Sequence, residues 1–369
     1  MVRTIKFKKV LLFLILFSFA VFGAACSTDN HENGRAILDK KDTINVTDCL
    51  GRQVEVPADP QRIACLYAFT GHVVTMLDHG QDVVAINKGL SRDVLLNMIC
   101  PSIGKNLIPF THDALNIEEL LRTEPDVVFV QGSTARNEAE VDKLNKFDLP
   151  YVAVEFNTIE EQKYAIELIA QVLGEEEKAR EYNEYYQDCI DRVQAKVKEI
   201  PENEKLRVYH SVNEATRTDA RNSLAADWTE KCGIINVSVG KELKLVEDKN
   251  FASLEQILLW DPDLIIVNEA GVAEYMYSNE QWAPLKAVKE KKVYQMPIGI
   301  ARWGHPGGME TPLGILWTAK TVYPERFEDL DIRAEAREYY KKFFNYSVSD
   351  ELLNKILEGK DMRRLKGVD

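Results

Sequence analysis

Residues 301–310, ARWGHPGGME, gather side chains that are well suited to hold a ligand. Arg302 presents a planar fork of N–H donors that matches a carboxylate, a hydroxamate or another anionic group. Trp303 offers a flat face on which an aromatic or macrocyclic ligand can stack. Thr311 and Pro312 follow as the N-cap and first residue of a predicted helix, whose free N–H groups attract anions. The loop is therefore predicted to form one wall of a binding site.

The same loop contains two residue types that bind iron in haem proteins, His305 and Met309. They are four positions apart on one short loop, which cannot place them on opposite faces of a porphyrin, so at most one of them would bind a metal. A structural role is the alternative for the whole loop. In that case His305 would hydrogen-bond its own turn, Met309 would fill a gap, Trp303 would pack beneath the loop and Arg302 would pair with an acid.

Further basic and aromatic residues follow short apolar runs that are typical of buried strands. RIACLY ends at Tyr67, DVVAI is followed by Lys88 and Arg92, and LRVYHSV is followed by Arg217 and Arg221. Since the carboxyl ends of parallel strands meet at one edge of a sheet, we expect these side chains at the same cleft as the loop. Taken alone, each of these charges is more often a solvated surface residue than a ligand contact. Together they favour an anionic or metal-chelate ligand.

Composition excludes some function classes. The chain has 46 Lys and Arg against 59 Asp and Glu, a net charge of −13, which argues against a nucleic-acid partner. The sequence contains no GxSxG, HExxH, GxxxxGK[ST] or strand-linked GxGxxG motif, so the common hydrolase, zinc-protease and nucleotide-binding interpretations lack their signatures. We therefore expect a protein without catalytic activity and without a cofactor of its own.

The first residues have the pattern of an export signal. Basic residues precede an apolar run from Val10 to Phe22, and Gly-Ala-Ala then leads into Cys26. Small residues directly before a cysteine resemble the lipobox of bacterial lipoproteins, in which that cysteine carries the lipid. The prediction is a signal peptide over 1–25, a flexible tether over 26–42, and a protein anchored by Cys26 to the outer face of the cell membrane. An ordinary signal or anchor with a chance cysteine is the alternative.

Five further cysteines follow the signal: Cys49, Cys65, Cys100, Cys189 and Cys232. Their number is odd and no pair has CxxC spacing, so they are interpreted as small buried residues. Whether any two of them form a disulfide is left open.

A helix-then-strand unit occurs twice in the sequence. NIEELLRTEPDVVFVQG begins at Asn116 and SLEQILLWDPDLIIVNEAG begins at Ser253. Each starts with an N-cap residue and places Glu119 or Gln256 three positions later, as in a capping box. Each then continues with helical periodicity and breaks at Pro-Asp into a β-branched strand. The repeat predicts two α/β lobes with mostly parallel sheets.

The lobes are predicted over 43–157 and 201–369, separated by a helical segment over 158–200. That segment is rich in helix-forming residues, and its one glycine, Gly174, marks a bend or a helix junction. A continuous helix of this length would extend for about 60 Å at 1.5 Å per residue.

The opening TINVTDCLGRQVEVPADPQRIACLYAF resembles that of the periplasmic binding proteins for iron–siderophore and vitamin B12 uptake. The two Pro-Asp units, the interlobe helical segment and TPLGILWTAKTVYP match as well, so the resemblance extends from Thr43 to Asp331. It implies a class III solute-binding lipoprotein with two Rossmann-like lobes. It also implies a monomer that delivers a ligand to an ABC permease and its ATPase.

The resemblance does not identify the ligand, because this family carries siderophores, haem, cobalamin and metal oxyanions. The first expectation is an iron complex, a ferric siderophore or similar metal chelate, held in the interlobe cleft. The alternatives are a haem, corrinoid or metal-oxyanion receptor, with molybdate or tungstate as examples of the last. An exported enzyme that handles a metallocofactor is a further alternative.

Overall fold

A computed structural model describes residues 42–111 and 114–364. The strands are β1 (Thr43–Thr47), β2 (Gln53–Pro57), β3 (Ile63–Cys65), β4 (Val83–Ile86), β5 (Phe110–Thr111), β6 (Ala114–Leu115), β7 (Val127–Gln131), β8 (Tyr151–Val154), β9 (Arg207–Ser211), β10 (Ile235–Asn236), β11 (Lys244–Val246), β12 (Lys249–Phe251), β13 (Leu264–Val267) and β14 (Val293–Gln295). The helices are α1 (Ala68–Met76), α2 (Lys88–Ser91), α3 (Val94–Ile99), α4 (Ile117–Leu121), α5 (Gly132–Arg136), α6 (Glu138–Asn145), α7 (Ile159–Leu173), α8 (Glu176–Val197), α9 (Leu224–Lys231), α10 (Leu254–Trp260), α11 (Val272–Ser278), α12 (Lys286–Lys289), α13 (Thr311–Val322), α14 (Ile332–Phe344) and α15 (Asp350–Glu358).

Two four-stranded parallel sheets define the two lobes. The first lobe has the strand order β4-β3-β7-β8, and the second has β10-β9-β13-β14. Counted along the chain, each sheet places its second strand at one edge, followed by its first, third and fourth. The expected α/β fold with parallel sheets in two lobes is confirmed, and the repeated units supply the equivalent strands β7 and β13.

These strands are apolar on both faces because helices cover both sides of each sheet. Residues Val127–Val130 of β7 and all four residues of β13 are buried. The helices that precede them begin at the two expected caps. Asn116 Oδ1 accepts the N–H of Glu119 at 3.2 Å, and Ser253 Oγ accepts the N–H of Gln256 at 3.2 Å.

The reciprocal bond of a capping box forms only in the second lobe, where Gln256 Oε1 accepts the Ser253 N–H at 2.8 Å. In the first lobe the Asn116 N–H donates instead to the carbonyl of Pro109 at 2.9 Å. The Glu119 carboxylate accepts a bond from Arg122 Nη1 at 2.7 Å. The capping box expected in both lobes is correct for α10 and wrong for α4.

The segment 158–200 forms two helices rather than one bar. Gly174 adopts a left-handed conformation with φ 72° and ends α7, as the expected helix junction requires. The two helices pack side by side, with Lys163 Nζ donating to Gln187 Oε1 at 2.6 Å. Helix α8, with 22 residues, is about 33 Å long. Residues 158–200 therefore do not form one continuous helix of about 60 Å.

The lobes share one apolar core. From Asp42 onward the chain is a single compact unit. Its main cluster of buried side chains joins residues of both lobes with α7, α8, α13 and α14, and its largest members include Tyr182, Trp228 and Trp303. This continuous packing restricts how far the lobes can separate.

After α15 the chain returns to the first lobe through residues 361–364, here called the return segment. Its backbone pairs with that of residues 92–94, since the Val94 N–H donates to Met362 O at 3.2 Å and the Arg364 N–H donates to Arg92 O at 3.0 Å. An antiparallel bridge joins Asp93 and Arg363.

The five cysteines Cys49, Cys65, Cys100, Cys189 and Cys232 are all free thiols, four of them buried. No helix within residues 42–111 and 114–364 is both long and apolar enough to cross a membrane. The predicted signal peptide, the tether and Cys26 lie outside the described residues.

Candidate functional site

The loop over 299–310 connects the last strand of the second sheet to α13. Glu310, rather than Thr311, occupies the N-cap position, and Thr311 and Pro312 are the first two helical residues. The Glu310 carboxylate does not cap the helix but accepts the N–H groups of Ile300 at 2.6 Å and Ala301 at 3.1 Å. The loop thus closes around its own buried carboxylate.

Two residues of the loop point into the protein. Trp303 is fully buried, and its Nε1 donates to the hydroxyl of Tyr340 at 3.3 Å. Met309 is buried in the same core cluster. The prediction that Trp303 presents a stacking face to a ligand is wrong, because the core encloses its indole. The core also encloses the Met309 thioether, which contradicts the suggestion that Met309 binds a metal.

Arg302 and His305 form the polar side of the loop. Arg302 is 8% exposed and forms an ion pair with Glu269, which follows β13. Its Nη2 lies 3.2 Å from His305 Nε2, and its Nε has no hydrogen-bond partner among the described residues. His305 Nδ1 accepts the N–H of Gly307 at 2.9 Å. Both neighbours can only donate, and a neutral imidazole has one acceptor nitrogen, so one of the two contacts places a donor against a donor.

This arrangement leaves more donors than acceptors. Burial, together with the charges of Arg302, Arg363 and Arg217, holds the pKa of His305 well below its ordinary value, so the ring stays neutral. The one lone pair of the neutral His305 ring already faces an N–H donor, and a metal role for His305 stays a prediction. No group of three or more His, Cys, Asp or Glu side chains within the described part of the chain is arranged to hold a metal ion.

Positive charge is concentrated around this pair. Burial and, after it, the charge of Arg363 lower the pKa of Arg302 to about 10, while Glu269 opposes the shift. The pKa of Arg92 is lowered by burial and then by Arg363. Burial also lowers the pKa of Arg217. An acidic protein thus contains a local cationic cluster, as a binding site for an anion requires.

The first lobe meets the loop through Tyr67. As predicted, Tyr67 stands between β3 and α1, and its hydroxyl donates across the cleft to the carbonyl of Pro306 at 2.8 Å. Its ring packs near Phe69 and Phe156, and burial raises its pKa. The contact between Tyr67 and Pro306 holds the two lobes together at the mouth of the cleft.

A cavity of about 110 Å³ lies at the strand ends of the second lobe, and its lining includes His210, Arg217, Asp219 and Pro306. His210 Nδ1 is 2.8 Å from Asp219 Oδ2, and its Nε2 is buried without a partner among the described residues. The cavity is smaller than the roughly 300–1,000 Å³ of sites that hold drug-sized ligands. Its size suits a compact ligand.

The remaining predicted residues lie around the edge. Arg92 ends α2 and donates from Nε to the carbonyl of Arg364 at 2.8 Å. Lys88 begins α2 and is exposed, and Arg221 is exposed over Gly240. Neither Lys88 nor Arg221 belongs to the cavity lining.

Sequence reasoning missed four residues of this region. His210 lies inside an apolar strand, where a histidine is usually a satisfied core residue. Glu269 is the second residue after β13, so its position after a strand was a usable signal. Arg363 and Asp93 form an ion pair across 270 residues of sequence. No local sequence pattern predicts such a pair.

Comparison with known proteins gives consistent results. Residues 110–298 match the family model described as periplasmic binding protein. The molybdate-binding protein MolA of Haemophilus influenzae is 26% identical over 326 residues, covering 82% of this chain and 91% of MolA. The structure of MolA bound to molybdate aligns with a TM-score of 0.74 at 26% identity, covering 83% of this chain and 99% of that one.

Two further solved structures are similar. A periplasmic solute-binding protein from Veillonella parvula has a TM-score of 0.73 and 26% identity, over 86% of this chain and 97% of that one. CeuE from Helicobacter pylori, solved as a nickel–histidine complex, has a TM-score of 0.69 and 25% identity, over 86% of this chain and 99% of that one.

Proposed function

Since this chain belongs to the periplasmic binding protein family and is a solute-binding protein of an ABC importer rather than an enzyme, we propose that it binds a compact tetrahedral oxyanion of the molybdate class. Proteins of this kind work outside the cytoplasm, and their partners are a permease with its ATPase and a small-molecule ligand. The oxyanion was an alternative in the sequence analysis, and four features support it over an iron chelate.

The surplus of donors at Arg302 and His305 is the observation that carries the proposal. Arg302 Nε lacks a partner, and Arg302 Nη2 and the Gly307 N–H compete for the single acceptor nitrogen of His305. An anion whose oxygens only accept hydrogen bonds would satisfy both groups. Molybdate, tungstate and sulfate have only acceptor oxygens near neutral pH, whereas phosphate retains a proton that needs an acceptor. Charge-assisted bonds from guanidinium to oxyanion are among the strong hydrogen bonds in proteins.

The dimensions of the cleft support the same ligand class. The cavity of about 110 Å³ beside the loop, lined by Gly304 and Pro306 but not by Arg302 or His305, would accept a small anion far more readily than a ferric siderophore. The burial of Trp303 removes the aromatic face that favoured a large chelate. The similarity to MolA, which was solved with molybdate, agrees with this assignment.

A small metal chelate is the second candidate. CeuE, 25% identical, was solved with nickel and histidine. Tyr67 would give such a complex an aromatic contact on the first lobe, with the buried rings of Phe69 and Phe156 packed near it. The ferric siderophore that was expected first, and the haem or corrinoid alternatives, would require a much wider opening of the lobes.

Isothermal titration of the purified protein tests the proposal. Molybdate, tungstate, sulfate, phosphate, nickel–histidine and ferrichrome are titrated in turn. We expect molybdate and tungstate to bind more tightly than sulfate and phosphate. Binding of a chelate with no response to any oxyanion would overturn the oxyanion assignment in favour of the second candidate.

Arg302→Gln should weaken molybdate binding at least tenfold, because truncating a buried charged contact costs about 2–5 kcal/mol and about 1.4 kcal/mol is a factor of ten. Arg180→Gln is the matched control, since Arg180 also pairs with a glutamate, Glu177, but on an exposed helix. An Arg302→Gln protein that binds molybdate like the control would remove Arg302 from the site.

We further propose that the protein is a monomer anchored through lipid on Cys26. The support is the basic and apolar run before the small residues that precede this cysteine. Cys26→Ser should release the protein from the membrane without changing its affinity for molybdate, since the tether lies outside both sheets. A variant that stays in the membrane fraction after a high-salt wash would contradict the lipid anchor.

A further inference from the structure

The return segment brings a charged residue from the end of the chain to the cleft. Arg363 pairs by backbone and side chain with Asp93, and the flanking residues bond to Arg92 and Val94. Asp93 is 1% exposed, and its Oδ2 lies 2.9 Å from Nε2 of the buried His72. The anchor of the segment is therefore buried in the first lobe, although the segment follows the last helix.

Arg363 is built like Arg302. Its side chain is 11% exposed and that of Arg302 is 10% exposed. Each gives Nη1 to a carboxylate, Asp93 for Arg363 and Glu269 for Arg302. In both residues Nε is buried and has no hydrogen-bond partner among the described residues. A guanidinium has five N–H donors, so the pairing with one carboxylate leaves donors available.

Arg363 also occupies a central position in the cationic cluster. Among the nearby charges it is the largest contributor to the lowered pKa of Arg92 and of Arg302, and it contributes to that of His305. Arg92 belongs to the first lobe and the other two to the second. The charge of Arg363 thus acts on residues of both lobes, where three guanidinium groups, those of Arg92, Arg302 and Arg363, meet two carboxylates, those of Asp93 and Glu269.

From this geometry we propose that Arg363 is a ligand-binding residue of the cleft, delivered by the return segment, and that its Nε–H and that of Arg302 hold the same tetrahedral oxyanion from opposite lobes. The proposal rests on the proposed function. An anion held in this way connects Asp93 of the first lobe to Glu269 of the second through two guanidinium groups. Ligand binding would therefore tighten the attachment of the return segment to residues 92–94.

The competing explanation is that Arg363 only anchors the return segment through Asp93. The two roles differ in their response to ligand. An anchor contributes equally to the free and bound protein, so its loss lowers stability without changing affinity. A ligand-binding residue contributes in the bound state, so its loss lowers affinity and abolishes the effect of ligand on the segment.

The test uses the full mature chain with molybdate, tungstate and sulfate as probes. Affinity is measured by titration calorimetry for wild type, Arg363→Gln, Arg363→Lys and Arg364→Gln. We expect at least a tenfold loss of molybdate affinity in both Arg363 variants. Arg363→Lys keeps a cation opposite Asp93 but lacks the planar fork. Arg364→Gln is the matched control, because it removes the same charge from an exposed neighbour.

Hydrogen exchange provides the second readout. The Val94 N–H, which donates to Met362 O at 3.2 Å, should exchange more slowly when molybdate is added to wild type. In Arg363→Lys this slowing should disappear. Should Arg363→Gln fail to fold, the lysine variant and the Val94 exchange still decide the matter.

The outcomes separate the two proposals. If wild type binds none of the three oxyanions, the proposed function fails and the role of Arg363 fails with it. If wild type binds molybdate and both Arg363 variants bind it equally well, Arg363 is only an anchor and the proposed function stands.

Discussion

The two lobes have the same strand order but present different chemistry at their strand ends. In the first lobe, β3 leads to Tyr67, whose hydroxyl donates to the Pro306 carbonyl and whose ring packs near those of Phe69 and Phe156. In the second lobe the strands lead to His210, Arg217 and the Arg302 loop. A duplicated scaffold therefore supplies two unlike walls. The second lobe provides a surplus of hydrogen-bond donors, and the first provides the closing contact.

Part of the positive charge on the first-lobe side of the cleft comes from Arg363, which lies in the return segment. Asp93 is a first-lobe residue, yet its partner Arg363 follows the last helix. Strand order alone would assign each cleft residue to the lobe that contains its strand. The return segment departs from that rule and gives the first lobe a guanidinium group equivalent to Arg302.

The largest expected effect tests the loop that contains Arg302, where Arg302 faces the cleft and its neighbour Trp303 packs in the core. Trp303→Ala should lower the free energy of unfolding by about 3–5 kcal/mol, because it leaves a large cavity in the shared core. Urea denaturation of the unliganded protein measures this change. Trp303→Phe should lose much less, since it keeps most of the apolar volume.

If Trp303 instead faced the ligand, as the sequence suggested, the result would be reversed. Stability would hardly change, and molybdate affinity of the folded protein would fall. That outcome would mean that the apolar side of the loop faces the cleft, and it would contradict the assignment of hydrogen-bond donors to the second lobe.

The buried carboxylate of the same loop supplies a prediction about pH. Burial raises the pKa of Glu310 to about 8 from 4.5, although bonds from the N–H groups of Ala301 and Ile300 and from Tyr340 oppose the shift. The folded state keeps a proton that the unfolded chain releases. Stability from this group is therefore fully present below about pH 4.5 and is lost as the pH rises toward about 8.

Glu310→Gln imitates the protonated form and should remove this part of the pH dependence. In wild type the contribution of Glu310 falls by up to about 1.4 kcal/mol per pH unit within that window. Urea midpoints at several pH values between 5 and 8 measure the difference between the two proteins. Identical pH profiles would show that the Glu310 carboxylate is ionised in the folded loop.

The sequence was most informative where the signal was local. The unbroken apolar runs of β7 and β13 and the break at Gly174 each depend on a few neighbouring residues, and the structure confirms them. Whether Trp303 faces the core or the cleft depends on the path of a whole loop. The pairing of Asp93 with Arg363 depends on a segment 270 residues away. Pattern and propensity contain no information about such contacts.

The smallest expected effects compare the two repeated helix starts. Ser253→Ala and Asn116→Ala should each lower the free energy of unfolding by about 1 kcal/mol, because both side chains accept an N–H of the first helical turn. The partners three positions later should differ. Gln256→Ala removes bonds to the cap N–H and to Glu242 O and should cost about 0.5 kcal/mol or more. Glu119→Ala removes only an exposed pair with Arg122 and should cost less, since Pro109 already accepts the cap N–H. Equal losses for Gln256→Ala and Glu119→Ala in urea denaturation would mean that both lobes form the full capping box, and that the lobes differ only at the cleft.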